Sequence, residues 1–167
     1  MPNDISVLMV DDEARFRETT SKILKKRGYF ATVAASGEEA LELMEKSSFD
    51  VVVLDIKMPG MDGIEALKQI KSIRPESQVI MLTGHGSEAS AKKALEKGAF
   101  DYLNKPCDID LLAMKINDAH KHRKPEEKKA KVEKQARDIM IHIDDYTTIA
   151  EDKTIGEAIR QLLKSFF

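Results

Sequence analysis

A single cysteine, Cys107, stands in the 167 residues. It excludes an internal disulfide and fits a reducing cytoplasm, and beside Pro106 it reads as inert. No apolar run approaches the length of a membrane span. The opening "MPNDISVLMVDDE" lacks a basic stretch and meets acid within four residues, so it does not read as a signal peptide. A surplus of one charge is missing too: 27 Lys and Arg against 29 Asp and Glu leave a net −2. Broad attraction to nucleic acid or to anionic lipid is therefore not expected. Neither G-x-G-x-x-G nor a Walker sequence follows the first apolar run, which argues against a nucleotide-binding module. The four histidines, His85, His120, His122 and His142, form no cluster with the cysteine. No internal repeat or low-complexity tract appears.

What is present has the balance of a soluble globular chain, 42% apolar and 34% charged. Its length suits one ordinary domain and a short extra piece. Apolar runs at 5–10, 30–35, 51–54, 78–82 and 99–103 read as strands, and segments of helical spacing lie between them. Ser36 with Glu39, and Asp62 with Glu65, have the spacing of capping boxes. Gly28 and Gly98 sit just past lysine-rich helix ends, where a left-handed residue is wanted. A last helix follows Asp108, with Ile109, Leu112, Ile116 and Ala119 on one face. Five strands alternating with five helices imply an α/β fold, a doubly wound five-stranded parallel sheet with helices on both faces. The order expected is 2-1-3-4-5, the flavodoxin-like arrangement, with a short C-terminal extension.

The ends of the strands carry chemistry. Four apolar residues in "VVVLDIKMPGMDG" run into Asp55, where a charge is costly unless something pairs with it. The first strand ends in Asp11 and Asp12, the fourth in Thr83, and the fifth is followed by Lys105-Pro106. Taken singly, an Asp after a strand is a turn residue or cap, Thr83 a strand-end hydroxyl and Lys105 a surface charge. In the proposed topology these strands are neighbours, and three carboxylates, a hydroxyl and an ammonium converge on one crevice. Clustered carboxylates repel unless a cation neutralises them. With oxygen ligands alone, the cation expected is Mg²⁺. A carboxylate nucleophile can attack a phosphoryl group to give an acyl phosphate. Mg²⁺ and Lys105 would offset the transferring charge, and the Thr83 hydroxyl could donate to a phosphoryl oxygen.

"VLMVDDE", "VVVLDIKMPGMDG", "IMLTGHG" and "AFDYLNKP" together resemble the receiver domain of two-component response regulators, over residues 4 to 122. The resemblance implies a phosphorelay protein that accepts phosphate on Asp55 from a sensor histidine kinase and switches conformation. It implies that Asp12, Asp55 and the backbone carbonyl of Lys57 hold Mg²⁺, and that Asp11 completes the acidic pocket. Thr83 and Lys105 match the phosphoryl-binding pair. Tyr102 matches the aromatic switch position, although a packed aromatic is the plainer reading of that residue. In the family the Lys-Pro bond is usually cis. Lys57 stands where many relatives carry a polar amide, and only its backbone is needed for metal.

A phosphatase of the haloacid-dehalogenase kind is the alternative, since it too uses an aspartyl nucleophile. It expects a second Asp two residues later, where this chain has Lys57. No substrate-turnover enzyme is therefore expected beyond self-phosphorylation and autodephosphorylation. The division expected is a receiver domain at 1–122, a charged linker at 123–136 and a segment at 137–167. The linker "KHRKPEEKKAKVEKQ" mixes both signs and reads as solvated. The last segment resembles the opening strand and first helix of a CBS module, or else forms an amphipathic extension. A homodimer in the cytoplasm is expected, without direct DNA binding and without a membrane partner.

Overall fold

The computed structural model describes residues 4–84 and 88–123. Ten elements alternate: β1 (Ser6–Val10), α1 (Ala14–Lys26), β2 (Phe30–Ala34), α2 (Gly37–Lys46), β3 (Val51–Asp55), α3 (Gly63–Ile73), β4 (Gln78–Thr83), α4 (Glu88–Glu96), β5 (Asp101–Asn104) and α5 (Ile109–Lys121). The strands form one parallel sheet, as the alternation of elements implied, in the expected flavodoxin-like order β2-β1-β3-β4-β5. The 123–136 and 137–167 segments, apart from Arg123, lie outside the described residues, as does His85.

Side chains on a strand point alternately to opposite faces, so one sheet serves two cores. Leu8, Val10, Val52, Leu54, Val79 and Met81 pack with Met44, Leu67 and Ile70 beneath α2 and α3. Val7, Met9, Val51, Val53, Ile80 and Leu82 pack with Leu24, Leu112 and Ile116 beneath α1 and α5. All of β3 is buried, which explains its unbroken apolar run: a central parallel strand has no solvent face.

Local chemistry sets the boundaries. The Ser36 side chain accepts from the Glu39 N–H at 3.1 Å, and Glu39 Oε2 returns to the N–H of Ala35 at 2.6 Å. Asp62 likewise accepts from the Glu65 N–H at 2.8 Å, but the Glu65 carboxylate turns to Lys68 and Gln69 instead. It is a simple cap. Asp108 caps α5 by accepting from the Asp110 N–H. Gly28 and Gly98 end their helices at φ 91° and 101°, the left-handed conformation that a Cβ opposes. The fifth strand begins two residues later than its apolar run. The Ala99 N–H is used to close α4 against the Ala94 carbonyl, so that residue cannot join the ladder.

One residue expected in the linker belongs to the fold. Arg123 is buried, and its guanidinium pairs with Asp50. The other Asp50 oxygen accepts from the Ser6 N–H and hydroxyl at 2.9 and 3.0 Å. The pair lies at the amino edge of the sheet, and the compact unit formed by the receiver ends at Arg123.

Gly63 opens α3 directly against the end of β3. A Cβ there would lie 2.2 Å from the Asp55 carbonyl oxygen and 2.6 Å from the Ile56 Cα, both backbone atoms. The Gly63 N–H donates to the Ile56 carbonyl at 2.8 Å, which holds the approach in place. Replacement Gly63→Ala should therefore destabilise the protein by about 2 kcal/mol or more through overpacking. Urea unfolding followed by circular dichroism measures it, and an unchanged midpoint would contradict the close approach.

Candidate functional site

The carboxyl edge of the sheet gathers the polar residues. Asp11 directly follows β1, with its N–H still donating to the Ala34 carbonyl at 3.1 Å. Its carboxylate is fully buried; Oδ1 accepts from the Glu13 N–H at 2.9 Å, and Oδ2 lies 2.5 Å from Lys105 Nζ. The Arg17 guanidinium donates to the Asp11 carbonyl at 2.6 Å. Asp55 closes β3 and is 5% exposed. Its Oδ1 accepts from the Lys57 N–H at 3.3 Å, and its Oδ2 accepts from Lys105 Nζ at 3.2 Å. Asp12 is exposed beside them.

The Lys105 backbone is tied to the end of β4. Its N–H donates to the Thr83 carbonyl at 2.7 Å, and the Lys105–Pro106 bond is cis, as the resemblance implied. The ammonium also sits 4.8 Å from the centre of the Phe16 ring, on the face that attracts a cation.

The electrostatics follow from these distances. Lys105 lies nearer to Asp11 than to Asp55, so Asp55 is the less compensated of the two. Burial raises the Asp55 carboxyl above its ordinary range and the negative charge of Asp11 adds to the effect; Lys105 and the Lys57 N–H only partly offset this. Burial works against the Lys105 ammonium, but its hydrogen bond to Asp11 and the charges of Asp11 and Asp55 outweigh that. Its proton is held more tightly than in free lysine. Burial pushes the Cys107 thiol up, against formation of the thiolate.

Asp11, Asp12 and Asp55 each offer an oxygen, and these atoms all lie within 4.8 Å of one another. Three carboxylates face one ammonium. That deficit of positive charge, the oxygen-only donor set and the open side at Asp12 fit a hard divalent cation that keeps several waters, as Mg²⁺ does. The structure brings these three carboxylates and Lys105 together. Thr83 stands one position beyond Leu82, the register partner of Asp55, and its hydroxyl donates to Asn104 Oδ1 at 2.6 Å. Tyr102 is half-buried and packs against the α2–α3 core rather than joining the carboxylates. Phe16, Arg17 and Asn104 escaped the reading of the sequence. Phe16 and Arg17 lie inside α1, away from any strand end, and Asn104 does end β5 but is an uncharged amide beside the more conspicuous Lys105.

The family model for the response regulator receiver domain matches residues 7–117. The chain belongs to this family. Among curated relatives, the transcriptional regulatory protein ZraR of Klebsiella oxytoca is 39% identical over 118 residues, which are 71% of this chain and 27% of that protein. The DNA-binding transcriptional regulator NtrC of Escherichia coli K12 is 40% identical over 116 residues, 70% of this chain and 25% of its own length. The chain thus spans about a quarter of these relatives. Among solved structures, the receiver domain of the Francisella response regulator 1452 superposes with a TM-score of 0.67 at 34% identity, covering 72% of this chain and all of that one. Brucella abortus NtrX in complex with ADP gives 0.72 at 30% identity, covering 78% of this chain and 30% of NtrX. No helix among the described residues of this receiver is long and apolar enough to cross a membrane.

A carboxyl whose folded pKa is raised favours the folded state while protonated, and that contribution is lost as pH rises through the folded value. Ionised Asp55 therefore weakens the metal-free receiver at neutral pH. Asp55→Asn should raise the melting temperature in EDTA at pH 7, and the gap should close as the pH falls below the ordinary Asp range. Thermal melts at several pH values check this; a variant less stable than its parent at pH 7 would contradict the charge balance described.

Proposed function

We propose that the protein is a phosphoaccepting response regulator, in which Asp55 takes a phosphoryl group from a sensor histidine kinase. The observation that carries the reading is the buried Asp55 carboxylate at the end of the central strand, beside Asp11 and within hydrogen-bonding distance of Lys105. An Asp55 oxygen attacks phosphorus, the bond from phosphorus to the kinase imidazole nitrogen breaks, and the electron pair stays on that nitrogen. The product is an acyl phosphate. Ionised Asp55 is the nucleophile, and Lys105 holds it in place while also facing the incoming phosphoryl oxygens. The Thr83 hydroxyl, at the end of the adjacent strand, donates to one of them.

Asp12, Asp55 and the Lys57 carbonyl would hold Mg²⁺, with Asp11 in the acidic pocket behind them. When bound, Mg²⁺ offsets negative charge on the transferring phosphoryl group. Asp12 faces solvent and leaves the pocket open to a partner. Tyr102 is the side chain proposed to move when Thr83 does, since both lie on the same face of neighbouring strands.

In this reading the chain divides into a receiver domain at 1–122, a charged linker at 123–136 and a CBS-like segment at 137–167, with Arg123 tied to the receiver through Asp50. The protein acts in the cytoplasm as a homodimer. The haloacid-dehalogenase alternative needs an acid two residues after the nucleophile, and Lys57 stands there.

Incubation with acetyl phosphate and Mg²⁺ should add one phosphoryl group to the parent and none to Asp55→Asn, read by intact-mass spectrometry. Omitting Mg²⁺ should slow labelling by at least tenfold. Equal labelling of the variant would overturn the assignment, and continuous release of phosphate over many turnovers would favour the phosphatase.

A further inference from the structure

We infer that Asn104 is a positioning residue that holds the Thr83 hydroxyl in its resting orientation, so that a phosphoryl group on Asp55 must compete with it for one proton. The inference rests on the proposed roles of Asp55 and Thr83.

Thr83 ends β4, Asn104 ends β5, and the two are register partners. Two acceptors lie near the Thr83 hydroxyl: Asn104 Oδ1 at 2.6 Å and the Leu103 carbonyl at 3.4 Å. A hydroxyl has one proton to give. The first distance is at the short end of the O–H···O range and the second is beyond it, so Asn104 takes the proton. Thr83 is 1% exposed, so water is a poor substitute and the choice of protein acceptor decides where the hydroxyl points.

Backbone movement does not offer an escape. The Thr83 carbonyl is tied to the Lys105 N–H at 2.7 Å, and the two strands are laddered up to this point. The hydroxyl is free to change partner by rotation about its own side-chain bond. A phosphoryl oxygen on Asp55 that recruits Thr83 must therefore take it from Asn104. The cost is modest, because Asn104 is exposed and its released oxygen can be hydrated. It is still a cost that an apolar side chain at 104 would not impose. The residue preceding the active-site lysine thus sets how readily this receiver accepts its phosphoryl group in the switched geometry.

The test uses beryllofluoride, which mimics a phosphoryl group on an aspartate, with the full chain in Mg²⁺ buffer and binding followed by calorimetry. Asn104→Ala should bind about two- to tenfold more tightly than the parent, the range of one net hydrogen bond. Asn104→Leu keeps the branching of the side chain while removing the acceptor, and its extra bulk is accommodated because residue 104 is exposed, so it gives the same information should the alanine variant unfold. In a Thr83→Ala background the effect of Asn104→Ala should vanish, which a purely structural role would not produce. Unchanged affinity in Asn104→Ala and Asn104→Leu, or a gain that survives in Thr83→Ala, overturns the inference while leaving the Asp55 reading intact. A parent that does not bind beryllofluoride at all overturns both.

Discussion

Three carboxylates share one edge of a parallel sheet, and among the described residues the ammonium that pairs with them is that of Lys105. Lys105 sits closer to Asp11 than to Asp55, and so the carboxylate at the centre of the sheet is left partly uncompensated. Much else in the structure serves to maintain that imbalance. The Thr83 carbonyl fixes the lysine backbone, the Phe16 ring backs its ammonium, and the Glu13 N–H satisfies the far oxygen of Asp11. The carboxylate is held in this partly compensated state because β3, buried along its whole length, leaves it little room to shift.

The sheet order explains why these groups meet at all. Residues 11, 55, 83 and 105 are far apart in sequence, but β1, β3, β4 and β5 are neighbours, and parallel strands present their carboxyl ends along the same edge. Every crossover helix then has an apolar face to bury, which accounts for the two cores. The exposed Asp12 gives this edge a polar mouth, whereas the buried Asp50–Arg123 pair seals the opposite one.

Much of this was legible in the sequence because the strands punctuate the chain. An apolar run that stops at Asp, at Thr or just before Lys identifies both the strand and the group at its end, so Asp11, Asp55, Thr83 and Lys105 were readable together. The helix caps at Ser36, Asp62 and Asp108 were legible for a similar local reason. What escaped depends on distance between segments. Phe16 is an ordinary aromatic in α1 until Lys105 is laid beside it, and Asn104 is an ordinary amide until its register partner is known to be Thr83. Gly63 looks like a turn residue, yet the reason for glycine is the backbone of β3 only 2.2 Å from where a methyl group would stand. The Glu39 and Glu65 carboxylates share a spacing but not a partner, since local pattern does not determine which competing donor a flexible side chain finds.

The alternation of side chains makes the sheet a partition between two packed compartments that share little more than backbone. Phe16 and Cys107 belong to the compartment under α1 and α5, whereas Ile56, Met58 and Tyr102 belong to the one under α2 and α3. The partition ends at the carboxyl edge. There Lys105, leaning on Phe16, faces Asp55, while Thr83 approaches from the side of Tyr102. An anion bridging the lysine and the threonine would be gripped from both compartments at once. Its arrival would then be felt on both faces of the molecule, although no side chain within the sheet passes from one face to the other.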